Sequence, residues 1–189
     1  PAMLLSAGLP LPKTVFGHGF VTLKGEKMSK TLGNIVNPLD IVGRFGADSI
    51  RYYLLRGSSF GSDGNFTWED FIKRYNSDLA NDLGNLLNRT LGMTHQYLRG
   101  EIRKTTRPGP DGGMKKATAA GLKGLRNAMD YRKRGDFNFH LALEGLWEVV
   151  HAADKFIDSS APWVLNREGK TEEIARVLYH MLTCHEAFK

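Results

Sequence analysis

The longest helical pattern in the chain, from Trp68 to about Leu98, constrains its fold most strongly. Thr67 stands directly before this pattern, where its hydroxyl can accept a hydrogen bond from a backbone N–H of the first turn, so we expect the helix to begin there. The residues predicted to form its apolar side are Leu79, Leu83, Leu86, Leu87 and Thr90. The pattern therefore predicts a long helix with one face buried against other elements.

Three further helical stretches follow it along the chain. One covers 114–134 and stops at Gly135, and another covers 172–188 with Thr171 as its N-terminal cap. The middle helix ends at the break 158-DSSAPW-163. Its apolar residues recur at helical spacing and form a predicted core stripe: Leu143, Leu146, Trp147, Val150, Ala153 and Ile157. Together these stretches predict a helical bundle.

The chain before Trp68 has a different pattern. Residues 14–25 are rich in Val, Phe and Thr and are bounded by glycines, which predicts one or two short strands. Short helices are expected over 38–46, closed by Gly46, and over 47–57. This part is therefore a small α/β piece.

Two glycine-rich stretches separate these parts. Residues 57–65 carry several glycines and serines and are predicted to be a loop, and residues 100–113 are a linker rich in Gly, Pro and basic side chains. We therefore expect a mostly α chain, with an α/β unit in residues 1–60 and an α-helical bundle in residues 61–189 that is incomplete at its C-terminus.

Composition excludes some classes of protein. The chain has 189 residues and one cysteine, so no internal disulfide can form, and no apolar run approaches the ~20 residues of a membrane span. With no signal-peptide pattern, we expect a cytoplasmic protein with no membrane partner. The net charge of +6 is compatible with a nucleic-acid partner but does not require one. The start at Pro1, inside an apolar segment, suggests a piece of a longer protein.

The stretch 25-GEKMSKTLGN-34 is the main candidate for chemistry. Lys27 and Lys30 are three residues apart between two glycines, and lysine ammonium groups on a flexible loop suit phosphate oxygens. The spacing excludes a Walker A loop, which needs a glycine immediately before the lysine. On composition alone, a solvated turn explains the stretch as well.

The surroundings of this stretch favour the phosphate interpretation. Together with 32-LGNIVNP-38 and 46-GADSIRYYLL-55, the segment 27-KMSKT-31 resembles the Lys-Met-Ser-Lys-Ser loop of class I aminoacyl-tRNA synthetases, with Thr31 in place of the usual serine. The resemblance implies the end of a Rossmann-like catalytic domain and a loop that closes over ATP with Mg²⁺. It assigns charge stabilisation to Lys27 and Lys30. The ATP-binding set it implies is Lys27, Met28, Ser29, Lys30 and Thr31. His18 is a further candidate because it precedes the loop, and a structural histidine at a strand end explains it as well.

A polar row on the long helix is the second candidate. Asn81, Asn85 and Arg89 recur every four residues and so share one face of an α-helix. Amide and guanidinium groups can bind the edges of unstacked bases in RNA loops, and Trp163, after Ala161-Pro162, can stack on a base. The alternatives are a solvated helix surface and a core tryptophan.

The segments 60–93 and 158-DSSAPW-163 resemble the anticodon-binding bundle of methionyl-tRNA synthetases. This resemblance implies binding of tRNA(Met) rather than DNA, with Asn85, Arg89 and Trp163 reading the CAU anticodon and Asn81 on the same face. It further implies ATP-dependent attachment of L-methionine to tRNA(Met) through methionyl-adenylate.

Several parts of such an enzyme are not in this sequence. The ATP motif of the His-Ile-Gly-His type, the methionine pocket and the insertion that can bind zinc would all precede Pro1, so we expect the isolated chain to be inactive. Two alternatives stay open, another class I synthetase and a non-catalytic tRNA-binding protein. His180, Cys184 and His185 offer too few ligands for a zinc site, so no metal site is predicted in this chain.

Overall fold

The computed structural model describes residues 1–102, 104 and 113–186, with residues 184–186 described by their backbone alone. The described chain is mostly helical and has one small sheet. Its strands are β1 (Val21–Leu23), β2 (Glu26–Lys27) and β3 (Gly64–Phe66). Its helices are α1 (Ala2–Ser6), α2 (Pro38–Phe45), α3 (Ala47–Gly57), α4 (Trp68–Arg74), a π-helical segment (Tyr75–Gly84), α5 (Asn85–Leu98), α6 (Gly113–Met129), α7 (Tyr131–Arg134), α8 (Phe139–Ser160), α9 (Pro162–Arg167) and α10 (Thr171–Glu186).

The sheet has the order β2-β1-β3. Leu23 pairs with Glu26 across a two-residue turn, in which Lys24 and Gly25 have φ angles of 51° and 83°. Two positive φ angles give the turn a twist that matches an antiparallel hairpin, and glycine adopts them readily. The strand predicted within residues 14–25 is thus confirmed.

The third strand corrects one prediction. Residues 57–65 were expected to be a loop, but β3 begins at Gly64 and pairs with β1 in parallel, with Phe66 opposite Leu23. The sequence 64-GNF-66 has no strand pattern of its own. Its conformation comes from the pairing with β1 and from the burial of Phe66, which is 2% exposed.

The N-terminal core lies between this sheet and the helices that follow it. Its buried members are Ile41, Ile50, Tyr53, Phe66 and Phe71. Phe71 on α4 lies after the predicted boundary at residue 60 and still belongs to this core. The boundary itself stays a prediction.

The long helix begins where it was predicted to begin. The Thr67 side chain accepts a hydrogen bond from the Asp70 N–H at 3.1 Å. The helical path then continues to Leu98, but ten residues, Tyr75–Gly84, form a π-helix rather than an α-helix. In a π-helix the backbone hydrogen bonds join residues i and i+5, so each turn is wider than a turn of the predicted α-helix.

The predicted apolar side of this helix needs one correction. Leu86 and Thr90 are fully buried, but Leu87 is 39% exposed. In α5 the buried line runs through Leu86, Thr90 and Thr94 at intervals of four, and Leu87 stands one position away from it.

The bundle core joins α5, α6, α8 and α10. Its buried residues are Leu86, Met114, Val149, Val150, Ala153, Phe156, Ile157, Val177 and Met181. Helices α6 and α8 approach closely at Gly121, where an added Cβ would lie 2.6 Å from the carbonyl oxygen of Gly145. The predicted stripe on α8 is confirmed at Val150, Ala153 and Ile157, while its three N-terminal members are half-buried.

Three helix limits differ from the sequence prediction. The stretch 114–134 is broken at Asp130 into α6 and α7, and α7 ends at Gly135 as expected. The break near Ala161 is confirmed, although α8 extends to Ser160. Helix α10 begins at Thr171 itself, and residues 187–189 and most of the linker 100–113 lie outside the described part. No helix among the described residues is long and apolar enough to cross a membrane.

Candidate functional site

The lysine loop, residues 27–34, is closed by one side chain. Asn34 Oδ1 accepts a hydrogen bond from the Ser29 N–H at 2.8 Å, and Asn34 Nδ2 donates to the Lys27 carbonyl at 3.1 Å. The Gly33 N–H also donates to the Lys30 carbonyl at 3.3 Å, with Gly33 at a φ of 65°. The backbone of the loop is therefore fixed by contacts within itself.

The cationic side chains of this loop point into solvent. Lys27, Lys30 and Thr31 are exposed, whereas Met28 and Ser29 are half-buried. Lys27 Nζ lies 5.7 Å from the centre of the Phe20 ring, and neither lysine forms an ion pair with a described carboxylate. Two ammonium groups without acidic partners on a fixed backbone fit an anionic ligand such as a phosphate chain.

His18, the further candidate for ATP binding, precedes β1 in the chain. Its Nδ1 is 2.8 Å from the Gly19 carbonyl oxygen, and the side chain lines a cavity of about 310 Å³ with residues of β1, α3 and the loop after α3. Within the described chain, no hydrogen bond joins His18 to residues 27–31. The role of His18 at ATP therefore stays a prediction.

The polar helix face contains a residue that the sequence prediction missed. Asn81, Asn85 and Asn88 line one shallow depression together with Ala80 and Gly84. Asn88 follows Asn85 by three residues, a spacing that also places two residues on one helix face. Three adjacent amide side chains offer both donors and acceptors to solvent.

Arg89 is held more tightly than its predicted role suggested. Its guanidinium donates from Nη2 to Asp158 Oδ1 at 2.7 Å and from Nη1 to Asp154 Oδ1 at 3.4 Å, which ties α5 to the end of α8. The side chain is half-buried. A guanidinium has five N–H donors, so donors remain for a ligand, but its position is set by the two aspartates.

Trp163 lies just beyond these aspartates. Ala161 has a φ of 41°, which ends α8 sharply, and Trp163 is the second residue of α9. Its side chain is 37% exposed and therefore is not a core residue. The ion pair between Arg89 and Asp158 links the polar helix face to the turn that carries Trp163.

The charges around Arg89 are mostly negative. Burial raises the pKa of Asp154, the Arg89 guanidinium opposes this shift, and the neighbouring Asp158 and Asp82 carboxylates add to it. Asp82 Oδ2 also lies 3.4 Å from His151 Nε2. An acidic surrounding repels phosphates, so this face is better suited to neutral base edges than to the RNA backbone.

The structure gives no support for a metal centre in the part it describes. No group of three or more His, Cys, Asp or Glu side chains among the described residues is arranged to hold a metal ion. The side chains of Cys184 and His185, considered in the sequence, lie outside the described part.

Known proteins are similar to this chain over a range that includes both candidate regions. Residues 1–91 match the family model of class I (M) tRNA synthetases. The chain is 45% identical to the methionine–tRNA ligase of Bacillus subtilis over 96% of its own length, and 46% identical to that of a Synechocystis species over the same share. The chain belongs to the methionyl-tRNA synthetase family.

Solved structures agree with this assignment. Mycobacterium tuberculosis methionyl-tRNA synthetase bound by methionyl-adenylate superposes with a TM-score of 0.78 and 36% identity over 96% of the chain. The free form of the same enzyme gives a TM-score of 0.77 and 32% identity. The chain spans 27% of the Bacillus relative, 34% of the Synechocystis relative and 35% of the methionyl-adenylate-bound chain.

Proposed function

We propose that this chain is part of a methionine–tRNA ligase, in which it supplies the loop that acts on ATP and the face that reads the tRNA(Met) anticodon. The relatives that share 45–46% of its residues carry that activity in their names. The observation that carries the proposal is the combination of two free lysines on a closed loop with an exposed amide row, tied through Arg89 to Trp163.

At the loop, Lys27 and Lys30 stabilise negative charge during adenylation. The methionine carboxylate forms a bond to the α-phosphorus of ATP while the bond to the leaving pyrophosphate breaks. Negative charge rises on the phosphate oxygens, and preorganised ammonium groups stabilise that charge more than they stabilise bound ATP. ATP brings Mg²⁺, which neutralises further phosphate charge.

The backbone of the loop contributes by keeping the lysines in place. Asn34 holds Lys27 and Ser29 by their main chain, so the two ammonium groups start from one fixed loop conformation. Thr31 retains the hydroxyl of the serine that the family pattern has, and its exposure leaves that hydroxyl accessible. Preorganisation of this kind lowers the entropy lost on reaching the transition state.

At the second face, amides and an indole bind unstacked bases. Asn81, Asn85 and Arg89 present donors and acceptors for base edges, and Trp163 offers a stacking surface worth ~1–3 kcal/mol per base. Asp154 and Asp158 orient the Arg89 guanidinium and prevent a nearby phosphate from competing for it. Anticodon bases would thus be selected over the RNA backbone.

Binding of an anticodon stem–loop tests this proposal. A fluorescent RNA hairpin with the CAU anticodon is titrated with the chain, alongside hairpins in which CAU is replaced. We expect preference for CAU, loss of that preference in Asn85→Ala, and no loss in Asn76→Ala, which alters an exposed asparagine on the same helix outside the depression. Equal binding of all hairpins would point instead to another class I synthetase or to a general tRNA-binding protein.

A further inference from the structure

A polar junction joins α3 to the π-helical segment. Tyr52 on α3 donates a hydrogen bond from its hydroxyl to Asp78 Oδ2 at 2.7 Å, across 26 residues of sequence. Arg74 Nη1 lies 3.7 Å from the same carboxylate oxygen, and Ser77 Oγ donates to the other oxygen. Asp78 is thus the point at which α3, α4 and the π-helical segment meet.

Helix α8 closes the junction from the other side. The ring of Trp147 lies 4.6 Å from that of Tyr52 at an angle of 31°, and Arg56 on α3 donates to Glu144 on α8 at 2.8 Å. Burial, followed by the Asp78 contact, raises the pKa of Tyr52. Its hydroxyl therefore stays protonated at neutral pH and can donate to Asp78.

The junction between α3, α8 and the π-helical segment contains several buried polar atoms. Arg56 Nε, Arg74 Nε and Trp147 Nε1 are buried and have no hydrogen-bond partner. The junction's geometry is constrained instead by the bonds it does form, Tyr52 to Asp78 and Arg56 to Glu144, because a shifted half-buried group loses its partner without fully regaining water. The contact therefore fixes the geometry of α3 against the π-helical segment more strictly than an apolar contact of similar size would.

The π-helical segment needs such a contact. A π-helix is rare and occurs mostly as a single turn inside an α-helix, whereas Tyr75–Gly84 spans ten residues, so contacts from other elements are expected to stabilise it. If Tyr75–Gly84 relaxed toward an α-helix, the rotation and rise between α4 and α5 would change. Asn81 lies inside this segment and Asn85 directly after it, so the direction of both amides depends on its shape.

We propose that Asp78, held by the Tyr52 hydroxyl, is a positioning residue for the anticodon-reading face: the bond between them maintains the π-helical segment and so aims Asn81 and Asn85. This rests on the proposed function. Asp78 does not itself contact the RNA. The same bond connects α3, which follows the lysine loop through α2, to the helix that carries the polar face.

The test compares two neighbouring tyrosines. Tyr52→Phe removes only the hydroxyl that holds Asp78, whereas Tyr53→Phe removes a hydroxyl that donates to the Asn65 carbonyl at 3.3 Å and does not contact the π-helical segment. We expect Tyr52→Phe to weaken binding of the CAU hairpin by about fivefold, as loss of one hydrogen bond predicts, and to reduce its preference for CAU. Tyr53→Phe should bind as the parent chain does.

A second pair of variants separates positioning from general stability. Asp78→Asn keeps an oxygen that accepts from Tyr52 and should retain most of the affinity. Asp78→Ala should weaken binding at least as much as Tyr52→Phe, because it also removes the contacts with Arg74 and Ser77. The double variant Tyr52→Phe/Asp78→Ala should bind no worse than Asp78→Ala alone, because in Asp78→Ala the Tyr52 hydroxyl has already lost its acceptor. Thermal melting verifies that every variant is folded at the assay temperature.

The outcomes also separate this inference from the proposed function. If the parent chain prefers CAU and Asn85→Ala loses the preference, but Tyr52→Phe behaves like Tyr53→Phe, then Asp78 is not a positioning residue. Additive losses in the double variant would contradict the inference as well. A parent chain that does not distinguish CAU would refute the proposed function itself.

Discussion

The lysine loop and the polar helix face are held in place in opposite ways. In the loop, Asn34 bonds to Ser29 and Lys27, five and seven residues away, and the two lysines are free of acidic partners. At the helix face, Arg89 is bound to aspartates 65 and 69 residues away. The proposed phosphate site is therefore held by local contacts, whereas the proposed base-reading site depends on how the bundle packs.

The largest expected effect concerns the lysine loop. In the whole ligase that we propose, Lys30→Ala should lower methionine-dependent pyrophosphate exchange by roughly a hundredfold or more, because a preorganised charge at the transition state is lost. Affinity for the CAU hairpin should not change. The matched control is Lys24→Asn, which removes an exposed lysine from the adjacent turn and keeps a residue that tolerates its positive φ. Equal damage to adenylation and RNA binding would show that the two regions are not separate.

The next effect concerns the helix face. Trp163→Ala should weaken binding of the CAU hairpin by about tenfold or more, since stacking is worth ~1–3 kcal/mol per base, while pyrophosphate exchange stays near that of the parent. Trp68→Ala is the control, because this tryptophan is also 37% exposed but packs against Phe66 and Phe71. It should lower the melting temperature without changing the preference for CAU. If Trp163→Ala lost pyrophosphate exchange but still bound the hairpin as the parent does, the role of Trp163 in RNA binding would be contradicted.

A smaller effect tests whether the loop is self-contained. Asn34→Ala removes both bonds that close the loop and should lower pyrophosphate exchange about tenfold, less than loss of Lys30, because the charges remain but lose their fixed positions. Asn34→Asp keeps the acceptor for the Ser29 N–H and should be intermediate. An unchanged rate in both variants would mean that the loop is positioned by other contacts.

The smallest effect is on stability at the helix face. Because burial raises the pKa of Asp154, the folded protein prefers the protonated carboxyl, so its contribution to stability falls as the pH rises through the folded pKa. Asp154→Asn should therefore leave the free energy of unfolding unchanged or slightly higher at neutral pH, within about 1 kcal/mol. The difference should vanish as the pH falls toward 3.8, the ordinary value. Urea unfolding of the parent and Asp154→Asn between pH 3.8 and neutral pH measures this difference in the free energy of unfolding. A clear loss of stability in Asp154→Asn at neutral pH would mean that the ion pair with Arg89 outweighs the effect of burial.

The same contrast explains which features the sequence could predict. The strand before the loop, the Thr67 cap and the break at Ala161 depend on a few neighbouring residues, and each was predicted correctly. The strand at Gly64 and the π-helical segment depend on contacts from distant parts of the chain, and both were missed. The aspartates that hold Arg89 lie on another helix, so a pattern along one helix could not reveal them. The roles given to Lys27, Lys30, Asn81, Asn85, Arg89 and Trp163 stay predictions.

The left-handed backbone of Ala161 destabilises the folded protein whether or not RNA is bound. A left-handed backbone is unfavourable for a residue with a Cβ by roughly 1–2 kcal/mol, and glycine would adopt the same turn without that strain. Glycine would also give the unfolded chain and the turn itself more conformations. Alanine at position 161 therefore makes the fold less stable than glycine would. In return it restricts the directions that the backbone can take at Trp163, two residues later. In entropic terms, part of the ordering needed to stack a base would be completed when the chain folds rather than when RNA binds.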